Sequence, residues 1–315
     1  MRGTYEIEMK TNYPLSTGSA KQKENAKMKN MLIVMMLAGL LLGGAATTEV
    51  NAEVRYFITT SGNWSTGGWN NISCGGGANA LPPTEDDVAI ICANNTCTVD
   101  IDPEVISIDV QTGASLIIPS ARTLTLNGGV PGNITSTIDG TVELTGEIDV
   151  DLTAAQSEHT FAGGGEIVGQ QSSAKILIAG PNRDLISSIT IRGALEIGKL
   201  LGTSPTFRTA GGLIHADTNG TIKISTQGLF DDPTASATLY KVSHPNAILQ
   251  FSMVCDGAPC PAICLSKANF ELIEGTIKVD APDGLVTRGT VTAEPGTVFD
   301  IETGATFSRL GSCPE

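Results

Sequence analysis

A short phrase that recurs along the chain constrains its fold more than any other feature of the sequence. Each copy starts with a glycine, continues with a small or β-branched residue, and ends in a short aliphatic run, as in GTVEL and GTIKV. A glycine that turns the chain ahead of a strand with one inward aliphatic row is what each coil of a β-solenoid requires. The copies begin at Gly113, Gly140, Gly193, Gly220, Gly275, Gly289, Gly296 and Gly304.

The pattern of strands predicts an all-β fold. Runs such as VISIDV and TLTLNG alternate apolar and polar residues, and aromatic residues make up only 4% of the chain. We therefore expect a right-handed parallel β-helix, or β-solenoid, with an N-terminal cap over its first coil. A β-sandwich is the alternative, because many short strands separated by turn residues also suit two packed sheets.

The N-terminal fifty residues predict export. Residues 1–27 form a polar extension, which translation from Met28 would leave out, and residues 28–52 have the layout of a signal peptide. The apolar run MLIVMMLAGLLL is shorter than the roughly 18 to 20 residues that span a bilayer, and Val50-Asn51-Ala52 supplies the small residues of a cleavage site. We expect a secreted or cell-surface protein, with membrane attachment only through an uncleaved leader.

The exported part divides into a cap and a solenoid. Residues 53–104 are expected to form the cap and the first strands, and residues 105–315 the solenoid coils. Loop insertions are expected near residues 151–172 and 228–265, where the repeat pattern breaks. Loops that project from a solenoid often carry its function.

The charge balance excludes one class of partner. The chain has 33 Asp and Glu against 19 Lys and Arg, a formal net charge of −14. Such an excess disfavours nucleic acid, whose phosphates attract basic proteins, and is compatible with divalent cations or cationic partners.

All seven cysteines follow the leader, so an oxidising compartment is expected to allow disulfides. Cys92 and Cys97 flank a turn at Asn94-Asn95, which suggests a hairpin-closing disulfide. A second cluster looks like a loop stapled by disulfides, and a zinc site there would need a fourth ligand. This cluster consists of Cys255, Cys260 and Cys264.

Paired carboxylates are the candidates for a metal or for catalysis. Alternate residues of a strand point to the same face, so Asp100 with Asp102, and Asp149 with Asp151, could each present two carboxylates outward. This geometry suits a calcium ion, although no cofactor is expected, and also the acid pair of a glycosidase. A solvated strand face explains it as well.

Histidines are few and far apart in the sequence. His159, His215 and His244 could meet only if the solenoid stacks distant coils. His215 is the best placed of the three, because Asp217 lies two residues away on the same coil.

Two tryptophans precede the first apolar strand of the repeat. The first coil of a solenoid exposes an apolar end and open strand edges, and Trp64 and Trp69, together with Tyr56 and Phe57, could cover them. The alternative is that Trp64 and Trp69 form a platform on which sugars stack.

The start of the exported part combines a GNWS element, a second tryptophan, a P-x-x-D-D-V-x-I element and a T-V-D strand. With these motifs it resembles the G8 domain and the beginning of secreted bacterial β-helical surface proteins. The segment VISIDVQTGASLIIPSARTLTLNGG continues the resemblance, which covers about 80 residues. It implies a pectin-lyase-like parallel β-helix whose usual associations are extracellular polysaccharide binding, polysaccharide processing or adhesion. The residues that carry it are Gly62, Asn63, Trp64, Ser65, Trp69, Pro83, Asp86, Asp87, Val88, Ile90, Thr98, Val99 and Asp100.

These observations favour a non-enzymatic structural or adhesive surface protein that binds glycans. Its partner would be an extracellular polysaccharide or a cell-surface protein, and nucleic acid is not expected. One alternative is a polysaccharide lyase or glycoside hydrolase of the β-helix type, which requires carboxylates from different coils to converge with a basic residue. Another is the passenger portion of a larger adhesin.

Overall fold

The computed structural model describes residues 52–127, 133–152, 158–200, 203–232, 234–252, 263–281, 284–303 and 305–309. The polar extension and nearly all of the predicted signal peptide lie outside these ranges. Every described element of regular structure is a β-strand. Within the same ranges, no helix has the length and apolarity that crossing a membrane requires.

The first half of the solenoid contains thirteen strands. Their bounds are β1 (Val54–Phe57), β2 (Ser61–Asn63), β3 (Trp69–Asn70), β4 (Val88–Ile91), β5 (Thr96–Thr98), β6 (Glu104–Val105), β7 (Ser107–Val110), β8 (Ser115–Ile118), β9 (Thr123–Asn127), β10 (Ile134–Ile138), β11 (Thr141–Leu144), β12 (Glu147–Asp151) and β13 (Glu158–Ala162).

Longer strands appear in the second half. Their bounds are β14 (Glu166–Ala179), β15 (Pro181–Ser187), β16 (Thr190–Lys199), β17 (Ser204–Thr209), β18 (Leu213–Ala216), β19 (Thr221–Ser225), β20 (Gly228–Asp231), β21 (Leu239–Phe251), β22 (Ile263–Leu265), β23 (Asn269–Val279), β24 (Leu285–Thr287), β25 (Val291–Ala293), β26 (Val298–Ile301) and β27 (Phe307–Arg309).

The strands stack in two parallel sheets. A twelve-stranded sheet has the order β27-β24-β22-β20-β17-β15-β13-β10-β7-β4-β1-β3, and a fifteen-stranded sheet contains the remaining strands. Every pairing between these named strands is parallel except that of β1 with β3. This topology confirms the predicted β-helix, consistent with a right-handed coil, and excludes the β-sandwich.

Register between coils places like residues on top of one another. In the fifteen-stranded sheet, Ile148, Ile176, Ile197 and Ile224 occupy equivalent positions on neighbouring strands, and all four are buried. Because neighbouring strands lie about 4.8 Å apart, such aliphatic rows form one continuous core. The alternating apolar residues of the sequence therefore face inward, as predicted.

Glycines allow the turns between the two sheets to stack closely. A Cβ added to Gly140 would overlap the carbonyl oxygen of Ala114 in the turn below, and one added to Gly165 would overlap the carbonyl oxygen of Gly140. The turn that contains Gly212 approaches Ile189 in the same way. At Gly140, the glycine of the repeated phrase is therefore required by contact between successive turns.

The first coil is capped as the sequence predicted. The short strand β3 pairs antiparallel with β1, which occupies the edge that a further coil would use. Trp64 and Trp69 are fully buried, and the Trp69 Nε1–H donates a hydrogen bond to the Trp64 carbonyl oxygen at 2.8 Å. The prediction of a sugar-stacking platform is wrong, because neither indole ring is accessible to a ligand.

The predicted Cys92–Cys97 disulfide is also wrong. Cys92 bonds instead to Cys74, at a sequence separation of 18. Cys92 follows β4 and Cys97 lies within β5, a strand of the other sheet. Cys97 points into the core, where it is free and buried within the described part. Burial raises the pKa of the Cys97 thiol, with the nearby Asp100 carboxylate adding to the effect.

The structure does not describe the side chains of the other disulfide candidates. Cys255 and Cys260 lie outside the described residues. The backbone of Cys264 belongs to β22, and its side chain is outside the described part.

Within the described residues, the insertions predicted near 151–172 and 228–265 contain solenoid strands, and residues 153–157, 233 and 253–262 of them lie outside the described part. Residues 158–162 form β13 and residues 166–172 begin β14, each in parallel register with its neighbours. Similarly, β20 and β21 occupy most of residues 228–251. The glycine run 163–165, interpreted as part of a loop, is one of the stacked turns.

His159 lies in the core, where it cannot serve a surface site. Its Nε2 atom is 3.0 Å from Ser136 Oγ, which in turn accepts a hydrogen bond from the Ile108 backbone N–H. Burial lowers the pKa of His159 to about 3. The unfolded chain therefore binds a proton at this residue near pH 6.5, whereas the folded chain stays neutral.

We predict that removing the Cys74–Cys92 bond lowers the free energy of unfolding by about 3 kcal/mol, the cost expected for a loop of this length. Chemical denaturation of the Cys74→Ser/Cys92→Ser variant against the oxidised wild type measures this change. Peptide mapping without reductant should recover Cys74 joined to Cys92; a peptide that joins Cys92 to Cys97 would contradict the structure.

A second prediction concerns His159 and pH. The pKa of His159 is lower in the folded chain than in the unfolded chain, so the stability that depends on its neutral imidazole is fully present above pH 6.5. As the pH falls below this value, the free energy of unfolding decreases by about 1.4 kcal/mol per pH unit. The His159→Leu variant should lose this part of the acid sensitivity when unfolding is measured between pH 7.5 and 4.5. The control, His244→Gln, changes a partly exposed histidine of β21 and should keep the wild-type slope. Equal slopes in all three proteins would refute the assignment.

Candidate functional site

One outward-facing row of the fifteen-stranded sheet carries five ionisable side chains from different coils. Its members occupy one register position on β11, β14, β16, β18, β21 and β23. We call it the charged row, and it consists of Glu143, Val168, Arg192, His215, Lys241 and Glu271. With neighbouring strands about 4.8 Å apart, this polar strip runs along the solenoid axis.

Arg192 is fixed at the centre of the charged row by carboxylates from two other coils. Its Nε and a terminal nitrogen donate to Glu166 at 2.7 and 3.0 Å, and its other terminal nitrogen lies 3.4 Å from Asp217 Oδ2. The hydrogen bonds from Arg192 hold the pKa of Glu166 below its ordinary value, and the same bonds raise the pKa of Arg192. Both groups therefore stay ionised over the whole physiological range.

His215 is the next member of the row. Its Nε2 atom lies 2.6 Å from Ser243 Oγ, and its Nδ1 atom lies 4.0 Å from Asp217 Oδ2. Burial lowers the pKa of His215, and the positive charges of Lys241 and Arg192 lower it further against the opposing effect of Asp217. The imidazole is therefore neutral at neutral pH.

The far end of the row holds another ion pair. Lys241 Nζ lies 3.0 Å from Glu271 Oε2 on the adjacent strand. Most charges of the row are thus paired with a neighbour from another coil and held on rigid strands.

Open grooves lie on both sides of the charged row. One, of about 410 Å³, is formed where the stacked turns meet the sheet, and its acidic lining consists of Asp139, Glu143 and Glu166. The other, also of about 410 Å³, includes the side chains of Gln170, Gln171, Arg192 and Asn219. Strand β16 contributes Thr190 to the first groove and Ala194 to the second, so the row runs between them.

The four predicted metal-binding aspartates are not brought together. Asp100 accepts hydrogen bonds from the Ser65 hydroxyl and backbone N–H, which outweigh desolvation and lower its pKa. Asp102 accepts a hydrogen bond from the Thr123 N–H and lies 3.8 Å from Arg122. The first pair of carboxylates is therefore engaged with separate partners.

Asp149 and Asp151 share one face of β12, as predicted. Partial burial raises the pKa of Asp149 to about 6, and the charges of Glu147 and Asp151 on the same strand add to the shift. In the described part of the chain, no three His, Cys, Asp or Glu side chains form a group that could hold a metal ion. The structure thus lacks, within that part, the convergent oxygen ligands that calcium prefers.

Sequence reasoning identified His215 and Asp217 but missed Ser243 and the role of Arg192. A signal was present, because aligning the strand phrases places the third residue of each in one column. TVE, EIV, TIR, LIH, LYK and NFE then end in the six members of the charged row.

Comparison of the chain with protein-family models, curated proteins and solved structures found no match.

The raised pKa of Asp149 generates a prediction about stability. Ionising Asp149 is less favourable in the folded protein than in the unfolded chain. The stability contributed by its protonated carboxyl group is therefore present below about pH 3.8 and is lost as the pH rises through about 6. The Asp149→Asn variant should therefore be more stable than the wild type at pH 7.5, with the difference shrinking towards pH 4. Thermal unfolding at both pH values measures this, with Asp86→Asn, which changes an exposed carboxylate outside β12, as the control. A destabilised Asp149→Asn protein at pH 7.5 would contradict it.

Proposed function

We propose that this chain is a secreted or cell-surface β-helix protein that binds an extracellular polysaccharide along the charged row, in a structural or adhesive role. The observation that carries the proposal is the strip of fixed polar groups, interrupted only at Val168, between two open grooves. Its length along the axis suits an extended polymer better than a compact ligand. Export follows from the predicted leader, which is part of the same proposal.

The paired state of the charges supports binding. Groups held on rigid strands lose little conformational freedom when a ligand binds, which reduces the cost of association. Arg192, Lys241 and their carboxylate partners offer donors and acceptors for sugar hydroxyls. Charge-assisted hydrogen bonds of this type contribute about 1.5 to 3 kcal/mol each.

A polysaccharide lyase or glycoside hydrolase is the second candidate. One observation favours it, because Glu166 and Asp217 from different coils converge on the basic residue Arg192. A glycosidase also needs a carboxyl group of raised pKa as its general acid. The pKa of Glu166 is instead lowered, which favours binding over hydrolysis at this position.

We predict that the purified protein is retained on at least one polymer of a panel of neutral and acidic polysaccharides, tested with and without calcium by affinity electrophoresis. Because Arg192 would lose its charge-assisted contacts, Arg192→Ala should weaken binding about tenfold or more. Arg122→Ala, which removes an arginine outside the charged row, should change binding by less than about twofold.

The same samples separate the candidates. Unchanged polymer length with retention supports a binding protein, whereas shortening of the polymer or formation of unsaturated products supports the enzyme. Absence of retention on every polymer, or equal retention by Arg192→Ala and the wild type, would overturn the proposed site and direct attention to a protein partner.

A further inference from the structure

Three side chains from two coils of the solenoid have the arrangement of a nucleophile, a base and an orienting acid. Ser243 Oγ lies 2.6 Å from His215 Nε2, and His215 Nδ1 lies 4.0 Å from Asp217 Oδ2. Parallel register causes this, since His215 pairs with Lys241 and Ala216 with Val242, which brings residue 243 beside residue 217. Side-chain alternation then places His215 and Asp217 on one face.

One carboxylate oxygen of Asp217 is available to accept a hydrogen bond from the His215 imidazole. Its Oδ1 atom is buried and accepts no hydrogen bond from any residue that the structure describes. When the Ser243 hydroxyl donates to Nε2, the neutral imidazole carries its proton on Nδ1, next to this carboxylate. A small rotation of either side chain would convert the 4.0 Å separation into a hydrogen bond.

The core of the same protein contains a serine–histidine pair without these features. Ser136 and His159 also lie within hydrogen-bond distance, but both are fully buried, and burial alone accounts for the lowered pKa of this histidine. His215, by contrast, keeps 18% of its side chain exposed beside Asp217. The surface pair is therefore accessible and has a carboxylate, whereas the core pair serves packing.

Positive charge flanks the candidate nucleophile. Arg192 and Lys241 occupy the row positions on either side of His215. Fixed cationic donors beside a reacting carbonyl can stabilise the negative charge that develops on its oxygen.

We infer that Ser243, His215 and Asp217 form a serine-hydrolase site that removes O-acyl groups. Ser243 Oγ attacks the ester carbonyl while its proton passes to His215 Nε2, and the tetrahedral intermediate collapses by breaking the carbon–oxygen bond to the alcohol, which takes that proton. Water then attacks the acyl-serine, again giving its proton to Nε2, and Ser243 leaves with the proton restored as the carboxylic acid is released. Asp217 is a positioning residue that holds the imidazole in the required tautomer.

The carrier of the acyl group follows from the position of the site. Because the three residues lie on and beside the charged row, the substrate would be an O-acylated polysaccharide; this choice of carrier rests on the proposed function, whereas the acyl chemistry does not.

The chemistry is tested with p-nitrophenyl acetate and with a fluorophosphonate probe on the full chain. We expect the probe to label Ser243, as located by peptide mass spectrometry, and His215→Gln to reduce both labelling and ester hydrolysis at least a hundredfold. Asp217→Asn should lower the rate and change its pH profile. Ser225→Ala removes a buried hydroxyl that donates to Glu196 at 2.6 Å and belongs to none of the three residues, so this variant should react as the wild type.

No label at Ser243, or labelling that His215→Gln leaves unchanged, would overturn the inference. The carrier is tested separately by acetate release from an acetylated polysaccharide that the protein retains. Cleavage of p-nitrophenyl acetate without release from any retained polymer would reject the carrier while supporting the triad, and the proposed function would still be judged by retention alone. Retention of polymer without any ester cleavage would reject the triad and leave the proposed function standing.

Discussion

The structure depends on the contact between successive turns. At Gly140 and Gly165 the backbone of one turn rests on a carbonyl oxygen of the turn below, in a space that a side chain would fill. This contact fixes the distance between coils and also their register, since a slip by one residue would send every inward side chain of a strand outward. The aliphatic rows of the core and the polar rows of the surface both follow from it.

Register is what makes a site from residues that lie far apart in the sequence. Glu166, Arg192, Asp217 and Ser243 belong to four different coils, and each is about one coil from the next. Stability does not explain their arrangement, because partly exposed ion pairs contribute only about 0 to 1 kcal/mol each. The buried aliphatic rows contribute far more, at about 1.5 to 3 kcal/mol for each fully buried side chain. The charged row can therefore be specialised for binding without threatening the fold.

The sequence was informative wherever a local rule was enough. Glycine phrases and alternating strands predicted a β-helix, and the tryptophan-rich start predicted its cap. The prediction of a Cys92–Cys97 disulfide was wrong because it assumed a hairpin, whereas the strands on either side of this turn belong to different sheets. The candidate site was only half visible: His215 and Asp217 are neighbours in sequence, whereas Ser243 and Arg192 join them through register between coils of unequal length.

The central claim of this account is that the coils stack in the register that assembles the charged row, and crosslinking tests it most directly. Glu143 and Val168 face each other on adjacent strands, so cysteines at these positions would lie within the roughly 4.4 to 6.8 Å between Cα atoms that a disulfide needs. We predict that the Glu143→Cys/Val168→Cys protein forms this bond on mild oxidation, as mapped by peptide mass spectrometry. The control Glu143→Cys/Gln170→Cys, displaced by two residues, should not. Bond formation in the control rather than in the matched pair would show a different register, and the charged row would not exist as described.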